Sequence, residues 1–338
     1  MKKTLPYFLF GLLVAYFVIT NPAHPCYERK ADTAFTSEKH WGTICISSVN
    51  LYDFGDQNAK EIIVPANLYL PQNIDKPVPA IIMSHGAGGI FRFHHKYKRI
   101  FLEQGYAVLI INHFHPRGKV LDNNFVDITE PMMISDTIAA YNLLKKHPSI
   151  SGEIGYIGWS KGGIGAVLLK NKRVLEKFKL NKDSFKFLVG IYTFCGFDFN
   201  ENEIAETPLL LISGKEDTIT PAIQCRSFSE KYNGAYNTKY LEIEMAHHGF
   251  DNYAFYLGAY IPWQPIITNF SEKCMLKLNK SYKTTNLNGT LKLDSLKNRT
   301  EFIKSCTENG AYVIYDSKAT RFTEKNLISF IKKNMSQN

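Results

Sequence analysis

The chain has 338 residues, 45% hydrophobic and 21% charged, with a formal net charge of +9. That is enough chain for one large α/β domain or two smaller ones, and the composition is that of an ordinary globular protein. The positive charge does not amount to a nucleic-acid site, because the lysines are dispersed and no arginine-rich or aromatic-interleaved patch stands out. The densest basic stretch, 170–179, alternates with Leu and Phe and reads as a solvated helix face.

Lys2 and Lys3 precede a largely apolar run over 5–19, followed by Asn21, Pro22 and Ala23. This is the layout of a secretory signal, and the run is short for a span of about 20 apolar residues. Asn21 sits where a cleavage site prefers a small residue, so an uncleaved anchor over 5–20 stays open beside a removed leader of 1–23. In both cases the folded part is expected outside the cytoplasm, periplasmic or secreted. Six cysteines agree, since an even number pairs in an oxidising compartment. Nearest-neighbour pairing, Cys26–Cys45, Cys195–Cys225 and Cys274–Cys306, is the simplest of about fifteen connectivities. No Cys/His spacing suits zinc, and no metal or cofactor is expected. Five Asn-x-Ser/Thr sequons, at Asn269, Asn279, Asn288, Asn298 and Asn334, crowd an asparagine-rich C-terminal quarter and decide nothing.

Along the chain, 24–43 reads as an extended arm and the remainder, 44–338, as one catalytic domain. Strands are expected at 44–49 and 62–69 as an antiparallel edge pair, and at 78–83 and 107–112 as buried runs. A glycine-rich loop, His85-Gly86-Ala87-Gly88-Gly89, follows the third. Helices are expected near 96–104 and 130–146, further strands at 187–192, 209–212 and 241–245, and a helix near 222–232. Strands alternating with helices of this length mean a mostly parallel sheet covered on both faces, with chemistry at the carboxyl ends of its strands. The segment 260–317 departs from that rhythm and reads as a long excursion pinned by a disulfide. A final helix over 323–333 should pack back onto the domain.

The centre of the pattern is Gly158-x-Ser160-x-Gly162, where a strand from Ile154 runs into a helix over 164–172. A serine on so tight a turn forces its flanking residues together, and only glycine lacks the clashing Cβ. Chance supplies such a motif in roughly one chain in ten of this length, so the partners decide. A serine needs a base and an orienting acid. After the strand at 209–212 come Glu216 and Asp217, and after that at 241–245 come His247 and His248. Singly, the acid reads as a helix cap and the histidine as a surface residue. Jointly, the order Ser, acid, His at successive strand ends is that of an α/β-hydrolase triad.

From about residue 44 onward the chain resembles the dienelactone hydrolase family of α/β-hydrolases, nearest its exported members. The residues carrying the resemblance are His85-Gly86-Ala87-Gly88-Gly89, Phe114-His115-Pro116-Arg117-Gly118, Gly214 with Asp217 and Pro221, and His248-Gly249-Phe250. It implies a sheet of about eight strands and no metal. It selects Asp217 over Glu216 and His248 over His247, with Ser160 where the best-known members carry cysteine and His113 where members often carry aspartate. The implied activity is hydrolysis of a small-molecule carboxylic ester or lactone through an acyl-enzyme. The oxyanion would be held by the backbone N–H groups of Ala87 and Lys161, and the Lys161 side chain would point to solvent. His85, Trp159 and Arg117 are the candidate substrate-binding residues, Arg117 either receiving a substrate carboxylate or pairing with a structural acid. The aromatic run from Phe250 to Trp263 walls an acyl pocket or covers a core. A peptidase or acyltransferase on the same triad, and a non-catalytic hydrolase-like binding protein, are the alternatives.

Overall fold

The computed structural model describes residues 25–26, 29–33, 35, 41–232 and 237–335. The leader or anchor expected over 1–23, and part of the arm after it, lie outside the described residues. Among the described residues no helix is long and apolar enough to cross a membrane.

The frame is a mostly parallel eight-stranded sheet with helices on both faces, an α/β-hydrolase fold. Its strands are β1 (Gly42–Val49), β2 (Glu61–Tyr69), β3 (Val78–Ser84), β4 (Ala107–Ile111), β5 (Ile150–Trp159), β6 (Leu188–Ile191), β7 (Leu209–Gly214) and β8 (Thr238–Ile243). They lie in the order β1-β2-β4-β3-β5-β6-β7-β8. β1 and β2 form the expected antiparallel edge pair, β2 meets β4 antiparallel, and every pairing from β4 to β8 is parallel. Buried on both faces, the central strands read as continuous apolar runs; all five residues of β4 are buried. Each large aliphatic side chain so enclosed contributes about 1.5–3 kcal/mol. Alternate strand residues supply two cores, one on each face of the sheet.

Helices α1 (Arg92–Glu103), α2 (Glu130–Leu144), α3 (Ile164–Leu169), α4 (Lys172–Lys177) and α5 (Ala222–Lys231) make the connections. α1 begins four residues earlier than expected. The helix expected over 164–172 breaks in two because the Asn171 side chain accepts the Arg173 N–H and caps a new start. β8 ends two residues early, since Met245 takes a left-handed φ of 59° and stands 77% exposed. The basic stretch 170–179 is not wholly a solvated face. Lys170 is buried, its ammonium donating to the Thr207 carbonyl, and burial pushes its pKa down to about 7.

The segment 260–317 is more regular than its composition suggests. It holds β9 (Ala259–Ile266), the short ribbon β10 (Leu276–Leu278) with β11 (Thr284–Asn286), α6 (Leu296–Cys306) and β12 (Glu308–Val313), which pairs antiparallel with β9. The last helix, α7 (Ser317–Asn334), is capped by the Asp316 side chain and buries Leu327 and Ile331 against the domain. The three disulfides join Cys26 to Cys45, Cys195 to Cys225 and Cys274 to Cys306, the nearest-neighbour pairing. They fit an extracellular protein.

Candidate active site

Parallel strands deliver their carboxyl-terminal loops to one edge of the sheet, and the residues singled out in the sequence meet there. Ser160 follows β5 with φ 51°, its N–H donating to the Ile191 carbonyl at 2.8 Å. The tight turn needs its glycines. A Cβ on Gly158 would stand 2.2 Å from the Gly162 carbonyl oxygen, and one on Gly162 would stand 2.4 Å from that of Ser84. The Thr193 hydroxyl donates to the Ser160 carbonyl at 2.7 Å and fixes the turn from β6.

His248 Nε2 lies 2.9 Å from Ser160 Oγ, and its Nδ1 lies 2.8 Å from Asp217 Oδ2. The other Asp217 oxygen accepts the N–H groups of Ile219 and Thr220, each at 2.9 Å, and the Thr220 hydroxyl lies 2.9 Å from Oδ2. The carboxylate is thereby held rigidly against the imidazole. Close approach of the two loops requires Gly214, where a Cβ would stand 2.2 Å from the Ala246 carbonyl oxygen. His247 instead packs edge-on against Tyr312.

The glycine loop lies directly on the serine: a Cβ on Gly86 would be 3.0 Å from Ser160 Cβ. Buried His85 shapes this loop. Its Nδ1 is 2.8 Å from the Gly86 carbonyl and its Nε2 accepts the His113 N–H. Burial holds its imidazole well below the usual histidine range. His113 bridges Ser84 Oγ and Asp136 at 2.8 Å each. Arg117 sends two nitrogens to Asp136, at 2.8 and 3.0 Å, and a third to Asn50 at 2.8 Å. Of its two readings, the structural acid is the one the contacts show; Arg117 lines neither of the cavities at Ser160. Burial alone would push the Asp136 carboxyl up, but Arg117 and His113 outweigh it and hold it low.

Lys161 departs from expectation. Its side chain is buried and its ammonium pairs with Asp122, whereas solvent was expected to receive it. Asp122 also accepts the N–H groups of Asp127 and Ile128 and donates its own N–H to the Ala87 carbonyl at 2.8 Å. One residue thus ties the elbow, through its carboxylate, to the glycine loop, through its amide. Asp122 gave no sign in the sequence, because nothing local distinguishes it from any loop aspartate.

Trp159 is buried, with its indole N–H donating to Asp251 at 3.1 Å. The same carboxylate accepts Tyr97 at 2.9 Å and Tyr192 at 2.7 Å, and burial raises its pKa to about 6 despite these donors. The Tyr192 ring lies 4.8 Å from that of His248. Its place at the end of β6 was the one clue to it.

Two cavities open at Ser160. One, of about 130 Å³, is lined by Ala87, His94, Trp159, Tyr192 and His248. Phe255 reaches it, Phe250 lies in the core, and Tyr253, Tyr256, Tyr260 and Trp263 are exposed, so most of the aromatic run takes neither expected role. The second cavity, of about 90 Å³, extends from Ser160 towards 260–317. Among the described residues no cluster of three or more His, Cys, Asp or Glu could hold a metal ion.

The model of the dienelactone hydrolase family matches residues 64–255, more than half of the chain. The protein belongs to the dienelactone hydrolase family. No curated protein sequence matches it. Among solved structures it is similar to a dienelactone hydrolase-like promiscuous phosphotriesterase from metagenomic libraries, with TM-score 0.51 and 12% identity over 87% of this chain and 100% of that one. It is also similar to Est1E from Butyrivibrio proteoclasticus, with TM-score 0.44 and 18% identity over 61% and 90%. The esterase Est2 of Thermogutta terrifontis gives TM-score 0.45 and 16% identity over 61% and 84%. At these identities the likeness is one of fold. This dienelactone hydrolase family member is a hydrolase whose neighbours are esterases and a phosphotriesterase.

Proposed function

We propose that the protein is a serine hydrolase of carboxylic esters or lactones, working through an acyl-enzyme. The observation that carries this reading is the unbroken line from Ser160 Oγ to His248 Nε2, at 2.9 Å, and from His248 Nδ1 to Asp217 Oδ2, at 2.8 Å. In this mechanism Ser160 attacks the carbonyl carbon as His248 takes its proton. Asp217 holds the imidazole in the tautomer that leaves Nε2 free to accept. The oxyanion sits at the amides of Lys161 and Ala87, each donor being worth about 3–4 kcal/mol in such sites. His248 then gives its proton to the leaving alcohol, and water repeats the sequence to free the acid. The reaction needs no metal or cofactor. The partner is a small molecule rather than a nucleic acid, and export through residues 1–23, as leader or anchor, accords with the three disulfides.

Ser160→Ala is expected to abolish both turnover of p-nitrophenyl acetate and labelling by a fluorophosphonate, with the fold intact by circular dichroism. Labelling that survives the substitution sinks the assignment. His248→Ala should be inactive and His247→Ala active; the reverse pattern moves the base.

A further inference from the structure

The 90 Å³ cavity at Ser160 has no role in the chemistry above, and half of its lining residues come from 260–317, outside the segment that the family model matches. We infer that this cavity is the acyl subsite, and that it takes a short, neutral, apolar acyl group. The inference rests on the hydrolase reading and adds the substrate class to it.

The side of the serine decides which half of an ester goes where. The leaving oxygen must take its proton from His248, so the alcohol lies on the side of that imidazole. His248 lines the larger cavity and not the smaller. The acyl group then points the other way, past Lys161 and Ile164 into the smaller one. Its wall is apolar: Ile164, Phe194, Phe197, Leu276, Phe302 and Ile303 surround it. The volume sets the length. An apolar cavity of about 150 Å³ holds a benzene, so 90 Å³ suits a smaller group.

Charge sets the rest. Glu130, Lys161 and Arg299 are the ionisable groups in the wall. Lys161 is paired with Asp122, and Arg299 with Glu130 at 2.7 Å. Arg299 also donates to the Leu293 carbonyl, lies 5.4 Å from the Tyr52 ring, and acts electrostatically on buried Asp53. Each cation therefore already faces a carboxylate. Arg299 Nη2 is buried without an acceptor, but the charge of Arg299 is already matched by Glu130, so a second carboxylate on the substrate would be desolvated with no uncompensated cation to neutralise it.

The test compares p-nitrophenyl esters of graded acids with acetates of graded alcohols, for the wild type, Phe302→Leu and Ile303→Trp. Ratios are taken within each preparation, so a lost folded fraction cancels. The wild type should hydrolyse the butanoate about tenfold or more faster, in kcat/KM, than the octanoate or the hemisuccinate. Phe302→Leu should raise the octanoate-to-butanoate ratio, Ile303→Trp should favour acetate over butanoate, and neither should move the alcohol ratios. A wild type that prefers the octanoate or hemisuccinate, or variants that move the alcohol ratios and leave the acyl ratios, would overturn the assignment. If Phe302→Leu does not fold, Ile303→Trp decides alone. A wild type that neither turns over any ester nor takes up fluorophosphonate overturns the hydrolase reading, and this subsite with it. A labelled, active enzyme with an unmoved acyl profile overturns the subsite only.

Discussion

Asp251 shows how one buried carboxyl is made to serve a site it does not touch. It collects the hydroxyls of Tyr97 and Tyr192 and the indole of Trp159, three side chains from α1, the end of β6 and the end of β5. Tyr192 and Trp159 in turn line the cavity beside His248. Its pKa is raised from 3.8 to about 6, so between those values the folded state holds a proton that the unfolded state has released. Stability therefore falls as pH rises through that window, by roughly 3 kcal/mol over the two units. Asp251→Asn should remove this descent. Urea denaturation of the two proteins at pH 4, 5, 6 and 7 would show it, and parallel stability curves would refute it.

The Asp122–Lys161 pair ties together the loops after β3 and β5, which also touch directly. The carboxylate binds the Lys161 ammonium, while the Asp122 amide holds the Ala87 carbonyl. Both residues proposed to stabilise the oxyanion thus depend on it. Lys161→Met strands a buried carboxylate and should cost about 3–5 kcal/mol, with a fall in kcat larger than any change in KM. Adding Asp122→Asn should recover much of the stability. A double variant as unstable as the single one, measured by chemical denaturation, would show that the pair is not the cause. At this level the sequence was legible where a feature repeats a local rule. The apolar runs marked the strands because β4 and β7 are buried throughout. Helix boundaries were less legible: Asn171 ends one helix and begins another through its own side chain, which hydrophobic spacing does not register.

For the whole molecule, the excursion 260–317 matters most. Its strands β9 and β10 and helix α6 line the smaller cavity, and Cys274–Cys306 fastens the base of α6 over a sequence separation of 32. Chain entropy gives such a loop about 4 kcal/mol. Cys274→Ser with Cys306→Ser should lower the melting temperature and weaken selection among acyl groups more than it weakens acetate hydrolysis. An unchanged acyl profile would place the pocket wall under the control of the sheet instead.

The sequence by itself determined the strand order of the chemistry. A glycine-flanked Ser160, then an acid at Glu216 or Asp217, then a histidine at His247 or His248 follow from period, turn residues and chain order; the family resemblance chose Asp217 and His248, and parallel strands bring the loops to one edge. The sequence offered the nearest-neighbour cysteine pairing only as the simplest connectivity, which the three disulfides follow. What only the tertiary structure decided are the contacts made by long or charged side chains across elements. Arg117 turns to Asp136, Lys161 turns inward to Asp122, Lys170 is buried under Thr207, and the Lys- and Asn-rich tail folds over a cavity. The physical reason is the same in each case. Backbone geometry and hydrophobic period are properties of neighbouring residues, whereas the partner of a buried charge is fixed by which distant segment happens to pack against it.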